Sequence, residues 1–169
     1  LCTALKFEQA GWDVCGSDVF PSYVESINAK TLRSNEPGVE EALCASTRLR
    51  ATLNLHEVIE HADVVFILVA TPTSAGEEAY DTTTLGKVLS EIAALKPTDK
   101  HIVICSTVLP GYISNIGSYL IEGCAGCTLS YNPEFIAQGE IMKGLSQPDV
   151  VLIGEGSKEA GDILQCLYE

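Results

Sequence analysis

The amino-acid sequence predicts a doubly wound α/β fold, and two observations carry that prediction. Apolar runs of strand length alternate with segments of helical periodicity, and the runs at 63–69 and 101–105 are apolar along nearly their whole length. Such runs are typical of a parallel sheet that helices cover on both sides. A length of 169 residues with 46% hydrophobic residues suits one globular domain with its own core.

In the first half of the chain, periodicity and turn residues define the elements. A helix is predicted over 1–10 with Gly11 at its end, and a short strand at 12–18 ends in an acid, Asp18. The triplet Glu36-Pro37-Gly38 predicts a turn into the next helix. Further helices are predicted at 23–28, 39–45 and 55–61, and further strands at 50–53 and 63–69.

The second half continues the alternation. Apolar residues at helical spacing predict a helix over 81–95, with Asp81 or Thr82 as its cap. Strands are predicted at 101–105, 128–131 and 150–153, and helices at 113–121 and from Ser157 through Leu167.

The charge of the chain argues against two classes of partner. The formal net charge is −13 and the sequence pI is about 4.5, so the surface repels phosphate backbones and anionic lipid. The longest apolar run, around 64–70, has the length of a strand and not of a membrane span. We therefore expect no nucleic-acid partner, no membrane association and a cytoplasmic location.

The seven cysteines are scattered along the chain and odd in number, which favours a reduced protein over a disulfide framework. The spacing of Cys124 and Cys127 is that of half a zinc site. A structural zinc ion needs four ligands, however, and no second pair of this kind lies nearby in the sequence. No metal is expected, and the two thiols are interpreted as incidental loop residues, with zinc as the alternative.

Polar residues follow the predicted strands at the points where ligands gather in a doubly wound sheet. Asp18 follows one strand, 70–73 and 106–107 follow two others, and 132–135 follows a fourth. Hydroxyl groups and a carboxylate at these positions suit a nucleotide cofactor and a polyol, and the helix starts after such loops favour phosphate.

Asp18 carries the sharpest local inference. In dinucleotide-binding folds, an acid about 20 residues after a glycine-rich turn accepts hydrogen bonds from the adenosine ribose. Counting back from Asp18 passes Leu1, so the first strand and the glycine-rich turn are expected to precede this chain, which alone would lack the pyrophosphate cradle. The alternative is a loop or cap aspartate.

Glu134 and Thr107 are the candidates for chemistry. Glu134 stands between Pro133 and Phe135, where partial desolvation would raise its pKa and suit it to proton transfer. Thr107 ends a strand, where its hydroxyl can bind substrate or water. The alternatives are a helix-terminus carboxylate for Glu134 and an ordinary strand residue for Thr107.

Seven short motifs occur in a fixed order along nearly the whole chain: GSD at 16–18, EPG at 36–38, ADVVF at 62–66, TPT at 71–73, STVLPG at 106–111, NPEFIAQG at 132–139 and QPD at 147–149. Each motif is weak alone, but the ordered set is specific. With this set, the chain resembles the N-terminal domain of the UDP-glucose/GDP-mannose dehydrogenase family.

The resemblance implies a Rossmann-like domain over 1–169 that lacks its first strand and glycine-rich loop and is incomplete at both ends. It also implies NAD-dependent oxidation of the C6 alcohol of a nucleotide sugar to a carboxylate, with two NAD per turnover. The implied catalytic residues are Glu134 and Thr107. The implied cofactor-binding residues are Asp18, Val69, Thr71, Pro72, Thr73, Ser106, Thr107 and Gln138, and the implied substrate-binding residues are Glu134, Phe135, Ile136, Ala137 and Gln138.

The chain departs from the family pattern at two positions and lacks one part. Many members have glutamate where Gln138 stands and arginine where Val150 stands. The family's catalytic cysteine lies in a second domain, and none of the seven cysteines here has its sequence context.

The substrate and the oligomeric state are expectations drawn from the same resemblance. UDP-glucose is the favoured substrate, with GDP-mannose or a UDP-N-acetylmannosamine as alternatives, and the full-length parent is expected to be a homodimer. Two other classes stay open: a non-catalytic truncated homologue that serves as a binding or assembly module, and a hydroxyacid-type dehydrogenase. The second would not be expected to carry Asn132-Pro133-Glu134-Phe135.

Overall fold

The computed structural model describes residues 1–73 and 80–168. It divides into two compact units. The first unit comprises Leu1–Ala62 and Phe135–Val151, and the second comprises Asp63–Glu134 and Leu152–Glu169. Both units combine helices with parallel strands, which confirms the predicted α/β class. No helix in the described parts of the chain is long and apolar enough to cross a membrane.

In the first unit, helices surround a parallel pair of strands. Val14 lies opposite Leu49 in this pair. A cluster of apolar side chains on the helices forms the core: Leu5, Ile27, Val39, Ala42, Leu43 and Met142. The strands are β1 (Val14–Ser17) and β2 (Leu49–Thr52), and the helices are α1 (Cys2–Gln9), α2 (Pro21–Asn28), α3 (Val39–Ala45), α4 (Leu55–His61) and α7 (Ile141–Ser146).

In the second unit, three parallel strands pair in the order β3-β4-β5. These strands are β3 (Val64–Ile67), β4 (His101–Ile104) and β5 (Thr128–Tyr131). The helices are α5 (Thr83–Ala94), α6 (Ser118–Leu120) and α8 (Lys158–Tyr168), and a π-helical segment, Tyr112–Gly117, leads into α6. The side chains that solvent does not reach include Leu85, Leu89, Ile92, Ile102, Val103 and Ile104.

The described strands form two separate ladders instead of the single sheet that the sequence predicts. In the doubly wound order 3-2-1-4-5-6, the second and fourth strands each pair with the first strand and not with each other. The two ladders therefore match the second and third strands (β1 and β2) and the fourth to sixth strands (β3 to β5) of that order.

The predicted strand at 150–153 is wrong. This segment is irregular, and its neighbourhood pairs with β5 through an isolated antiparallel bridge between Tyr131 and Gly154. The Gly156 N–H donates to Ser130 Oγ at 3.0 Å, and a Cβ atom at Gly156 would overlap the backbone of Leu129. The chain here approaches the β5 backbone closely and does not extend alongside it, so its β-branched residues do not form a ladder.

The helix predicted at 113–121 is present in a modified form. Its first part is the π-helical segment, in which the turn is wider than in an α-helix. Ser118 Oγ donates to the carbonyl oxygen of Ile113, five residues earlier, at 2.8 Å. This side-chain bond spans the same number of residues as a π-helical turn and supports the wider backbone.

Candidate functional site

Ser106 joins the carboxyl ends of β3 and β4. The side chain is buried, and its Oγ donates to the Val69 carbonyl at 2.7 Å and accepts from the Val69 N–H at 3.0 Å. The hydroxyl therefore satisfies both backbone groups of Val69 at once. Ser106, one of the predicted cofactor-binding residues, thus fixes the backbone at the edge of the sheet. The hydrogen of its hydroxyl group is already donated to the Val69 carbonyl.

Thr71 and Thr107 form a second connection between the loops that follow these strands. Thr71 Oγ1 donates to the Thr107 carbonyl at 2.8 Å, and the Thr107 side chain is exposed. Pro72 and Thr73 are exposed as well, and the Pro72 carbonyl accepts from the Asp81 N–H at 2.8 Å. The structure thus brings Val69, Ser106, Thr71 and Thr107 together at the carboxyl edge of one sheet.

Asn132 fixes the chain where β5 ends. It is only 2% exposed, and its N–H donates to the Ile104 carbonyl of β4 at 2.9 Å. Its side-chain amide donates to the Leu152 carbonyl at 2.9 Å, and its Oδ1 accepts from the Tyr168 hydroxyl at 2.5 Å. The backbone N–H and both polar atoms of the Asn132 side chain are therefore bonded, which avoids the cost of burying an amide without partners.

Glu134 is half-buried, and its charge acts on two weak acids, the buried Cys105 and the half-buried Tyr168. Burial, together with the negative charge of Glu134, raises the pKa of the Cys105 thiol. Burial also raises the pKa of Tyr168 to about 12, with further contributions from Cys105 and Glu134. Both groups stay protonated near neutral pH, so the carboxylate of Glu134 is accompanied by two neutral acids.

The register of the strands relates Glu134 to Thr107. Ile104, the last residue of β4, lies opposite Tyr131, the last residue of β5. Thr107 and Glu134 each follow three residues beyond that pair. Neighbouring strands lie about 4.8 Å apart, so the segments that lead to Thr107 and Glu134 leave adjacent strands at the same level.

In the first unit, Asp18 directly follows β1. Its Oδ1 accepts from the Phe20 N–H at 2.9 Å, at the start of α2, and its own N–H donates to the Thr52 carbonyl at 3.2 Å. Asp18 therefore forms a turn in the loop before α2, which is the loop role considered for this aspartate, and no side chain of the described residues caps α2. No hydrogen bond reaches its second carboxylate oxygen from residues 1–73 or 80–168, which leaves that oxygen available to a ligand.

The segment at 135–138 is exposed throughout and is followed by an anchor that the sequence did not reveal. Glu36 accepts N–H bonds from Gly139 at 2.9 Å and from Ile141 at 2.7 Å, and a longer one from Met142 at 3.4 Å. The carboxylate thereby satisfies the free N–H groups at the start of α7. The triplet Glu36-Pro37-Gly38 is thus more than a turn, although no local pattern links Glu36 to residues a hundred positions away.

The comparisons with known proteins identify the family. Residues 1–169 match the model of the UDP-glucose/GDP-mannose dehydrogenase family, NAD binding domain. The chain belongs to this family. The match confirms the resemblance predicted from the ordered motifs, and with it NAD as the cofactor.

Two curated relatives define how much of such an enzyme the chain represents. The GDP-mannose 6-dehydrogenase of Pseudomonas syringae pv. tomato is 34% identical over 94% of this chain and 39% of its own length. The UDP-glucose 6-dehydrogenase of Rickettsia bellii is 36% identical over 99% of this chain and 39% of its own length. The chain therefore spans about two fifths of these family members.

Solved structures of the family have the same fold. A ternary complex of GDP-mannose dehydrogenase from Pseudomonas aeruginosa superposes with a TM-score of 0.91 at 30% identity, over 99% of this chain and 41% of that one. A UDP-glucose dehydrogenase from Pyrobaculum islandicum gives a TM-score of 0.88 at 30% identity, over 99% and 40%. These matches confirm the Rossmann-like fold predicted from the sequence.

Proposed function

We propose that this family member is the cofactor-binding part of an NAD-dependent nucleotide-sugar 6-dehydrogenase, which oxidises the C6 alcohol of UDP-glucose to the uronic acid. One observation supports the site most directly. Asn132, which forms three hydrogen bonds, starts the loop that carries Glu134, and Thr107 follows the end of the adjacent strand by three residues. A carboxylate and a hydroxyl at neighbouring strand ends suit proton transfer from an alcohol.

The residues present fit the cofactor. In the first unit, the unbonded carboxylate oxygen of Asp18 is a suitable acceptor for a ribose hydroxyl. In the second unit, Val69, Thr71, Pro72, Thr73, Ser106 and Thr107 would line the cofactor at the carboxyl edge, and in the first unit Gln138 would add an amide contact. NAD, when bound, supplies the hydride acceptor.

Residues of the chain itself would accept and donate the protons of the reaction. Glu134 would accept the proton of the C6 alcohol during oxidation. It would later activate the water molecule that is needed to form the carboxylic acid. The Thr107 hydroxyl would orient that water or the sugar hydroxyl. Phe135, Ile136, Ala137 and Gln138, all exposed, would bind the nucleotide sugar.

GDP-mannose is the second candidate substrate, and one observation favours it. Five relatives from Pseudomonas named GDP-mannose 6-dehydrogenase match at 32–35% identity, within the range of the Rickettsia enzymes named UDP-glucose 6-dehydrogenase. Substrate choice therefore needs a direct measurement.

That measurement is NADH formation by the full-length parent protein. UDP-glucose, GDP-mannose and UDP-N-acetylmannosamine are compared at equal concentration, and we expect UDP-glucose to give the highest kcat/KM. A higher kcat/KM for GDP-mannose would make GDP-mannose the preferred substrate. No turnover with any of the three nucleotide sugars would overturn the proposed function. The 169-residue chain alone should form no NADH, because it spans about two fifths of its catalytic relatives.

We also propose that the parent is a cytoplasmic homodimer. Light scattering on the purified parent measures the mass directly. A monomer at micromolar concentration would contradict the dimer, and fractionation of cells with an antibody to the chain tests the location.

A further inference from the structure

The segment Cys124-Ala125-Gly126-Cys127 forms a tight turn immediately before β5. The Cys127 N–H donates to the Cys124 carbonyl at 3.2 Å, and Gly126 has a φ of +69°. The ends of such a four-residue turn lie less than about 7 Å apart between Cα atoms. Disulfides bridge Cα atoms at about 4.4–6.8 Å, so the span of this turn suits a disulfide.

The two ends of this turn each carry a free thiol. Cys124 and Cys127 are both free, and the Cys127 N–H bond to the Cys124 carbonyl brings their backbones together. Cys124 is only 6% exposed, whereas Cys127 is half-buried and its Sγ donates to the Pro97 carbonyl at 3.5 Å. Burial, with the neighbouring Cys127, raises the pKa of the Cys124 thiol. Cys127 is therefore the thiol that an external reagent reaches first.

The loop at 97–99 holds the turn in this shape. The Asp99 N–H donates to the Ala125 carbonyl at 2.9 Å. A Cβ atom at Gly126 would overlap the Asp99 carboxylate, so a side chain here requires Asp99 to move. Together with the bond from Cys127 to Pro97, these contacts hold the turn and the Cys127 thiol before any reaction, which lowers the entropic cost of closing the disulfide.

We propose that Cys124 and Cys127 are a redox-active pair that small disulfides of the glutathione class oxidise to an intrachain disulfide. The Cys127 thiolate attacks one sulfur of the oxidant, forms a mixed disulfide and releases one thiolate. Cys124 then loses its proton to solvent and attacks the Cys127 sulfur, and the second thiolate leaves. Two electrons pass from the pair to the oxidant, which becomes two thiols.

The pair is separate from the proposed active site. Cys127 precedes β5, and Glu134 lies beyond the opposite end of the same strand. Peptide mass tests the redox proposal and NADH formation by untreated protein tests the proposed function, so a failure of either proposal can be recognised without the other.

The test uses the full-length parent, incubated with oxidised glutathione, quenched in acid and alkylated before peptide mass mapping. We expect the peptide with both cysteines to lose two hydrogens. Cys124→Ser should stop the reaction at a glutathione adduct on Cys127, and Cys127→Ser should leave Cys124 unmodified. Alkylation of both thiols, while the exposed Cys44 and Cys166 carry glutathione, would overturn the proposal.

A second variant tests the shape of the turn. Gly126→Ala forces a side chain into the left-handed region and against Asp99, so closure of the mixed disulfide should slow by on the order of tenfold. Asp99→Ala, added to Gly126→Ala, removes the overlapping carboxylate and should restore part of the rate. Unchanged closure in Gly126→Ala would show that the turn does not position the thiols.

Discussion

The two units stabilise some of their loops with different kinds of group. In the first unit, two carboxylates accept backbone N–H bonds: Glu8 from Thr47 at 2.6 Å and from Arg48 at 2.5 Å, and Glu36 from the start of α7. In the second unit, the neutral side chains of Ser106 and Asn132 bond the ends of the strands, and Asn132 accepts from the Tyr168 hydroxyl. The bonds to Glu8 depend on an ionised carboxyl, whereas the bond from Tyr168 to Asn132 depends on a protonated phenol.

This difference gives the units opposite responses to pH. Protonation of a buried carboxylate removes a bonded charge, so the first unit should weaken in acid. Ionisation of the half-buried Tyr168 phenol creates a charge that burial penalises, so the second unit should weaken in base. The proposed functions are divided as well, because Asp18 lies in the first unit and Thr107 and Glu134 lie in the second.

The largest expected effect is on chemistry in the second unit. Glu134→Gln keeps the shape of the side chain but removes the base, so kcat of the full-length parent should fall by roughly 10²–10⁴. Affinity for NAD, measured by calorimetry, should stay nearly unchanged. Glu122→Gln, an exposed acid of the same unit, is the matched control. Normal turnover by Glu134→Gln would return Glu134 to the role of a loop carboxylate.

The next effect concerns cofactor choice in the first unit. The Asp18 carboxylate should accept from a free ribose hydroxyl and repel a 2′-phosphate, which favours NAD over NADP by roughly a hundredfold. Asp18→Ser should narrow this ratio of kcat/KM values. Asp18→Asn keeps an acceptor for the Phe20 N–H but loses the charge, and so separates cofactor choice from the turn before α2. Equal use of both cofactors by the unmodified parent would contradict the assignment.

A stability effect of about 2 kcal/mol is expected at Glu8. Burial raises the pKa of this carboxyl, but hydrogen bonds from Arg48, Ser46 and Thr47 outweigh burial, and the pKa is lowered from 4.5. The stability that the ionised form adds is present above pH 4.5 and is lost as the pH falls through the lowered value.

Urea unfolding of the 169-residue chain measures this contribution. Glu8→Gln should lower the free energy of unfolding at pH 7 and should differ less from the unmodified chain in acid. Glu41→Gln, at an exposed position of α3, is the control. An equal loss at both pH values would mean that the charge of Glu8 does not matter.

The smallest effect at neutral pH is expected from Tyr168→Phe, which removes the bond to Asn132 and should cost about 1 kcal/mol. The effect that distinguishes this variant is a change in stability at high pH. Because the pKa of Tyr168 is raised from 10.0 to about 12, the stability linked to the protonated phenol is intact below pH 10 and is lost between these two values. Tyr168→Phe should lose less stability across that interval, and an unchanged slope would exclude Tyr168 as its source.

Prediction from sequence succeeded where local pattern determines structure. The bounds of α3, α4 and β5 match those predicted, because each segment has an apolar pattern with clear ends. Helix α7 was not predicted, since Met142 is its one buried side chain and its N-terminus depends on Glu36. The strand predicted at 150–153 followed β-propensity, which close approach to β5 overrides.

For the candidate site, the sequence predicted residues at one edge of the sheet but not the bonds between their loops. Thr107 and Glu134 were placed on adjacent strand ends by the order of the apolar runs. Two hydrogen bonds connect Ser106 to Val69, and one connects Tyr168 to Asn132. All three depend on distances between strands and helices. The spacing of residues along the chain does not encode such distances. The sequence alone therefore could not reveal these positioning roles.

The close approach of Gly156 to Leu129 sets how this protein can vary. Two glycines that look alike in the sequence should tolerate substitution very differently. Any side chain at Gly156 meets backbone atoms that cannot move aside without breaking β5, whereas a Cβ atom added at Gly86 in α5 would have no atom of the described residues within 4 Å. Alanine at position 86 should even favour the helix by about 1 kcal/mol. In a saturation library, glycine alone should survive at 156, while many residues should survive at 86. Sequence variation in this protein is therefore limited at a loop to which no catalytic or binding role is assigned.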